Sequence, residues 1–441
     1  MTDGFRPNPE NSPAYRSPWS AAASVPKVSS PGQQTRAGAG SQPVQMTGRA
    51  GEFASLVIRG AILQFFTFGF YRFWLTTDVR RFLWSHTMVD GEGAEYTGTG
   101  RELLIGFLFA LAVLTPIWLL YFIGGVEAER YKAFASVPLG LFLVLFGQFA
   151  MYRARRYRLT RTVWRGVRLW MDGSGWKFAF LSFGLLILVI VTLGLLYPWR
   201  AAILERYKIR HTHYGDIAGS FEASGWEFFK KGVWLWLLAF VPLGLLIAAL
   251  AQLGSAGPNS IVAWEKAASA ISLMVLAFLF LPFLWPFFQA IEWRWWANGV
   301  RIGGVRLISR LRGGQLLGLY MKLIFAALLL SIALSVVGGI LYFAADQILK
   351  TILNVSLFEI GRQLMAASPY AGVAGAIIVY LVAGLAFGVL QRYFLQYRYW
   401  HVIVSSIEVE NIHALDGAIA KGELAGALGE GLADGLDIGG F

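Results

Sequence analysis

Sliding the chain 125 residues along itself lays Thr67 on Thr192, Gly69 on Gly194, Trp74 on Trp199, Arg81 on Arg206, His86 on His211, Thr87 on Thr212, Gly100 on Gly225 and Glu102 on Glu227, without a gap. A slide of 75 adds a degenerate third copy, in which Arg156, Thr162, Gly166 and Gly175 meet Arg81, Thr87, Gly91 and Gly100. Each copy has the same order. An apolar segment ends in aromatic residues, an arginine follows, then His-Thr or Arg-Thr, and a glycine opens the next apolar segment. Whatever unit this cassette builds must therefore be built more than once.

The apolar segments decide the solvent. They cover about residues 53 to 75, 103 to 124, 134 to 152, 177 to 199, 232 to 253, 269 to 291, 316 to 345 and 371 to 396. Most approach the ~20 residues that cross a hydrocarbon core of roughly 30 Å. With 56% hydrophobic and 15% charged residues, the chain holds more apolar surface than a water-soluble fold hides. Trp and Tyr crowd the segment ends, as an aromatic belt at headgroup level does. The net charge of +12 sits in the flanking loops, which argues for anionic lipid and against nucleic acid. No cysteine is present, so disulfides, thiol catalysis, thiolate zinc and iron-sulfur clusters are excluded. Residues 1–45 carry seven prolines and no apolar core; they read as a disordered tail, not a signal peptide.

Topology follows from the cations. If all eight segments cross, the 36 Lys and Arg of the tails, loops and segment ends, which are all but Arg59 and Lys322, divide 21 to 15, against the positive-inside rule. If the first and fourth segments dip and return, the division becomes 31 to 5. Those two segments are the ones interrupted by Thr67-Phe68-Gly69 and Thr192-Leu193-Gly194, where a glycine lets a short helix turn. The expected fold class is an all-α polytopic membrane protein: three transmembrane helical hairpins, two shorter re-entrant or spanning segments, and small β-hairpin-like loops on the cytoplasmic side. Its divisions are a tail 1–45, membrane repeats 46–175 and 176–312, a third hairpin with a terminal strand 313–412, and a Gly-rich acidic tail 413–441. Strand-like stretches at 87–98, 162–173, 212–223, 300–311 and 400–412 are each marginal alone, and pairing into one sheet would stabilise them.

Few residues suggest chemistry. Arg81, Arg156, Arg206, Arg294 and Arg398 recur just beyond apolar segments, each beside an aromatic ring, and with Trp74 and Trp199 they suit lipid headgroups or interfacial anchoring. Glu102 and Glu227 follow a glycine at a helix entry and are read as capping residues. His86, His211 and His213 are weak zinc candidates because no carboxylate cluster accompanies them, and neither a metal nor a cofactor is expected. The apolar cores lack Asp and Glu, and Gln64, Gln148, Gln252, Gln289, Ser331 and Ser335 are the polar groups available to line a path. From 414 to 437, Leu415, Ile419, Leu424, Leu428, Leu432 and Leu436 would form one stripe of a helix with net charge −4, complementary to the basic loops.

Three blocks, Thr67 to Trp74, Arg80 to Thr87 and Glu95 to Leu103, occur in an order that resembles the YjgN-like family of bacterial inner-membrane proteins, a domain of unknown function, over about residues 45 to 441. The glycine-rich acidic end, Gly429 to Gly439, is similar as well, while Phe68, Phe70 and the proline-rich head depart from the pattern. The resemblance implies a multi-pass location in the bacterial inner membrane and no established activity. The expectation is a non-enzymatic protein whose basic, aromatic-girdled face meets anionic lipid, a partner protein or a second copy. A transporter or channel for a small or lipid-like solute is the alternative.

Overall fold

The computed structural model describes residues 41–127, 132–254 and 261–435. Its organising element is a nine-stranded antiparallel sheet. Along the chain come β1 (Gln42–Pro43), β2 (Gln45–Met46), α1 (Ala50–Phe66), α2 (Arg72–Ser85), β3 (Thr87–Val89), β4 (Glu92–Gly93), β5 (Glu95–Tyr96), α3 (Gly100–Glu127) and α4 (Lys132–Thr160). Next are β6 (Thr162–Trp164), β7 (Val167–Met171), α5 (Gly175–Val191), α6 (Tyr197–Arg210), β8 (Thr212–Tyr214), β9 (Ile217–Phe221), α7 (Gly225–Gly254) and α8 (Ile261–Gly299). The last third holds β10 (Val300–Ile302), β11 (Val305–Ser309), α9 (Gly313–Leu353), α10 (Leu357–Ala367), α11 (Pro369–Gln391), a π-helical stretch Arg392–Arg398, α12 (Tyr399–Val404), β12 (Ile407–Glu410) and α13 (Leu428–Gly435).

The large sheet runs β1-β12-β11-β10-β9-β8-β7-β6-β5, and β2-β3-β4 form a second, three-stranded one. Two-residue turns close the hairpins. Asp90-Gly91 and Arg165-Gly166 have positive φ at both positions, whereas Gly215 and Gly303 have it at the first position only, matching the primed turns whose twist suits a hairpin. Pro43, which has no N–H to give a ladder, lies on the edge strand β1.

Every helical excursion leaves from one strand and returns to the strand beside it. Met46 pairs with Thr87 across α1–α2, Tyr96 with Thr162 across α3–α4, and Met171 with Thr212 across α5–α6. Phe221 pairs with Val300 across α7–α8, and Ser309 with Ile407 across α9 to α12. All five excursions thus start and finish at sheet level.

Among the described residues, five helices are long and apolar enough to cross a membrane: Gly100–Ile123, Gly225–Gly254, Trp264–Gly299, Gly313–Leu353 and Gly375–Val404. That is one fewer than three hairpins require, since α4 is not among them. Its C-terminal half carries Arg153, Arg155, Arg156 and Arg158 and leads into β6. The excursions α1–α2 and α5–α6 are built differently. Helices α1 and α5 have 17 residues each, about 25 Å, and end at Thr67 and Thr192. There Phe68 and Leu193 take φ near 50°, and Gly69 and Gly194 take φ of 90° and 88°. The threonine hydroxyl donates to the carbonyl four residues back, 2.8 Å in both copies, and accepts from the amide of Tyr71 (3.0 Å) or Leu196 (3.3 Å). One side chain thereby satisfies backbone groups that the elbow frees, as an apolar surrounding demands.

Several expectations are corrected. Residues 42–46 belong to the two sheets, so the head ends at residue 40, and residues 1–40 lie outside the described residues. The stretch 87–98 is divided, with β3 and β4 in the small sheet and β5 at the edge of the large one. Residues 400–404 are helical, leaving the single strand β12 where a hairpin was expected. Gly422 at φ +104 and the irregular chain from Gly417 to Ala427 break the expected helix over 414–437, and only α13 forms. Leu415 and Leu432 are buried but Ile419 and Leu424 are exposed, while Leu436 and Asp437 lie outside the described residues.

Candidate functional site: a buried ionic seam and an apolar pocket

The helices that run into the sheet carry the cassette arginines, and the structure keeps those arginines in the outer shell. Arg206 and Arg398 are exposed, and Arg81 and Arg156 are half-buried. Arg81 donates to the Gly98 carbonyl at 2.8 Å, Arg294 to the Ala290 carbonyl at 3.2 Å, and Arg398 lies 5.7 Å over the Tyr393 ring. No common site gathers them. Trp74 and Trp199 back the glycines that open α3 and α7, since a Cβ at Gly100 or Gly225 would lie 2.8 Å from their Cα atoms.

The residue just before the cassette arginine points inward instead. Slides of 75 and 125 carry Arg80 to Arg155 and Glu205. Arg80 is 5% exposed; it donates to the Tyr96 hydroxyl at 3.1 Å and to the Glu430 carboxylate of α13. Arg158 approaches the other Glu430 oxygen at 3.7 Å. Burial opposes the Arg80 charge, but Glu430 and Tyr96 outweigh it and hold the guanidinium protonated beyond its ordinary range. Arg155 stands in electrostatic reach of both Arg158 and Glu205, joining the two halves of the seam. Glu205 pairs with Lys208 and accepts from Trp296 Nε1 at 3.1 Å. Burial alone would raise its carboxyl, yet Lys208, Arg155 and these hydrogen bonds bring it below the ordinary value. Glu292 at the end of α8 accepts from the Tyr197 hydroxyl at 2.7 Å. Acidic groups thus occur where the helices meet the sheet, just past the apolar cores that lack them.

Glu102 and Glu227 lie in the first turns of α3 and α7. Thr99 and Ser224 supply the hydroxyls that accept from the Glu102 and Glu227 amides, at 3.3 and 3.2 Å. The Glu102 carboxylate reaches across to α4, accepting from Tyr157 at 2.8 Å and pairing with Arg161 at 3.0 Å, and the Glu227 residue is exposed. His86 and His211 each place Nδ1 2.7 Å from the carbonyl four residues back, closing a helix end. His213 stacks on Trp170, ring centroids 4.2 Å apart. Among the described residues no three His, Cys, Asp or Glu side chains converge as metal ligands.

Between the α5–α6 elbow and the α7–α8 pair lies a pocket of about 390 Å³, with walls that include Val189, Pro198, Gly232, Trp236, Leu284 and Trp285. Trp236 Nε1 donates to the elbow carbonyl of Leu193 at 3.1 Å and fixes one wall. Tyr197 also lines it, so the hydroxyl that bonds Glu292 joins the pocket to the ionic seam. In the first copy, Phe107 stands where the second has Gly232. Its ring packs 5.2 Å from Phe73 and 4.6 Å under the Arg72 guanidinium, the positions that correspond to Pro198 and Tyr197. In the first copy that phenylalanine instead lines a groove of about 410 Å³ along α3, with Leu111, Leu114 and Trp118.

The family model described as bacterial protein of unknown function (DUF898) matches residues 41–435, the span in which the sheet, seam and helices lie. The chain belongs to the DUF898 family. No curated protein and no solved structure matches it significantly. The matched span opens at the residue before β1 and closes with α13, so the C-terminal helix of this DUF898 protein falls within the family domain.

Sequence reasoning missed Arg80, Arg155, Arg158, Glu205, Lys208, Glu292 and Glu430. The signal was present for three of them, because the same slides that align Arg81, Arg156 and Arg206 align their inward neighbours. A change of sign from arginine to glutamate hid that correspondence.

Proposed function

We propose that this DUF898 protein is a non-enzymatic lipid-binding protein of the bacterial inner membrane. In this reading the sheet lies on the cytoplasmic side, the long hairpins span, and the elbows α1–α2 and α5–α6 dip in and return. The return of each excursion to a neighbouring strand supports it, as does the 31 to 5 division of cations. The pocket carries the proposal. Its walls hold no charged side chain, its volume suits part of an acyl chain, and it lies against helices apolar enough to cross a membrane. The interfacial arginines and Trp74 and Trp199 act as anchors around it and favour anionic lipid. Native mass spectrometry of the full chain tests this. Gly232→Phe should lower retained lipid roughly tenfold, and unchanged retention by the folded variant would refute the acyl pocket.

A transporter of a lipid-like solute is the second reading, favoured by the contact of Tyr197 in the pocket with Glu292 in the seam. It expects Glu292→Gln to stop uptake into vesicles while leaving lipid retention intact.

A further inference from the structure

Helix α13 is a wedge. It packs on both α3 and α4, which over their described lengths meet α13 far more than each other. Glycine permits the approach. A Cβ on Gly431 would stand 2.0 Å from the Gly106 carbonyl carbon, and one on Gly429 would stand 2.3 Å from Arg153 Cβ. Close crossing through small residues is how helices associate where water does not drive packing. The segment leading to the wedge is held by polar contacts: Arg165 to Asp416 at 2.9 Å, the Ile419 amide to Asp216 at 2.8 Å, and the Ala425 amide to the buried Thr160 at 3.3 Å. Ile419 and Leu424 on that segment are exposed.

Among the described side chains of α13, Glu430 is the charged one that meets the buried seam, and it enters between two guanidinium groups. Arg80 cannot lose its proton, and a buried cation without a partner is strongly unfavourable. The wedge can therefore leave only if another anion takes the place of its carboxylate. Two arginines and a tyrosine hydroxyl form the donor set that suits a phosphate oxygen cluster.

We infer that Arg80, Arg158 and Tyr96 form a phosphate site beneath the sheet, and that Glu430 occupies it as a built-in substitute, so that α13 closes the α3–α4 gap until a phosphate-bearing ligand exchanges for it. The ligand favoured by the surroundings is an anionic phospholipid, because α3 presents Ile105, Leu108 and Phe109 exposed on an apolar surface beside the gap. Free phosphate shares the same recognition chemistry. The inference rests on the reading of the chain as lipid-binding, but it concerns the first copy and a headgroup, not the acyl pocket of the second.

The full chain in nanodiscs of phosphatidylglycerol or phosphatidylcholine provides the test. Glu430→Gln keeps the shape and removes the charge, and should raise phosphatidylglycerol retained in native mass spectrometry roughly tenfold. The double variant Arg80→Gln, Glu430→Gln should fall back to the wild-type level. Equal retention by wild type and a folded Glu430→Gln chain would overturn the inference. Hydrogen exchange of the wild-type amides at 429–433 gives a readout that needs no variant. They should exchange faster in phosphatidylglycerol than in phosphatidylcholine, and equal rates in both, with and without added inorganic phosphate, would also overturn it. Acceleration by inorganic phosphate in phosphatidylcholine discs would identify free phosphate as the ligand, and acceleration by phosphatidylglycerol alone the lipid. Loss of the Gly232→Phe effect with these results intact would remove the acyl pocket and leave the phosphate site.

Discussion

The two copies of the cassette solve the same packing problem in opposite ways. In the first, α3 and α4 stand apart and α13 fills the gap from the far end of the chain, while Phe107 packs on Phe73 beside the elbow and lines a groove of about 410 Å³ along α3. In the second, α7 and α8 pack directly on each other, and Gly232 leaves the corresponding groove open. The shared residues are those of the frame: the Thr-x-Gly elbow, the glycine against tryptophan, the histidine at the helix end. The differing residues decide what enters the space that the frame creates. A repeat can thus keep its architecture while the side chains that line and fill its grooves differ between copies.

The largest effect concerns whether the copies face the same way at all. Single cysteines replacing Asp90 and Asp216, one in each copy's hairpin turn, should label from the same side of intact spheroplasts, the cytoplasmic one. The background holds no other cysteine. Labelling from opposite sides would end the comparison, because β3–β4 in the small sheet and β8–β9 in the large one both follow excursions that return to sheet level.

Next comes the wedge. Glu430→Leu leaves Arg80 buried without its carboxylate and should cost ~3–5 kcal/mol in thermal unfolding in detergent. A loss below ~1 kcal/mol would mean that the first copy does not depend on α13. A smaller change is expected from emptying the groove of the first copy. Phe107→Ala forfeits contacts with Phe73 and Leu103, on the order of 1–2 kcal/mol since the ring is only half-buried. It should also raise lipid retention, making the first copy resemble the second.

The smallest effect is one of pH. Burial lowers the His213 pKa from its ordinary 6.5, with Asp172 opposing and His211 and Lys421 assisting. Between the lowered and ordinary values the unfolded chain binds more protons than the folded one. Stability is therefore full above pH 6.5 and declines on acidification below it, by less than ~1 kcal/mol for a ring in partial contact with water. The first copy has Met88 at that position. Hydrogen exchange at pH 5.5 should loosen the β7–β8 pairing relative to β3, and His213→Gln should abolish the difference.

Much of the frame was legible in the residues alone. The apolar segments, the two short elbows at Thr67-Phe68-Gly69 and Thr192-Leu193-Gly194, and the Gly-punctuated turns all carry local signals, because a positive φ or a run of apolar side chains is a property of neighbours in sequence. The shared sheet also followed from local reasoning, since hairpins too small to persist alone require partners. The seam did not. Whether Arg80 meets water or Glu430 depends on a contact between residues 350 positions apart, and no periodicity encodes a charge pair at that distance. The same holds for α13. Its glycines read locally as helix breakers, and they do break the segment from Gly417 to Ala427, yet at Gly429 and Gly431 the missing side chains are what admit the helix between α3 and α4. Sequence determined which segments are apolar, where the chain turns and how often the unit recurs, since those depend on short-range sterics and hydration. Only the tertiary structure decided what fills the space between the helices of each copy, because that depends on what volume is left between helices once the sheet has set their spacing.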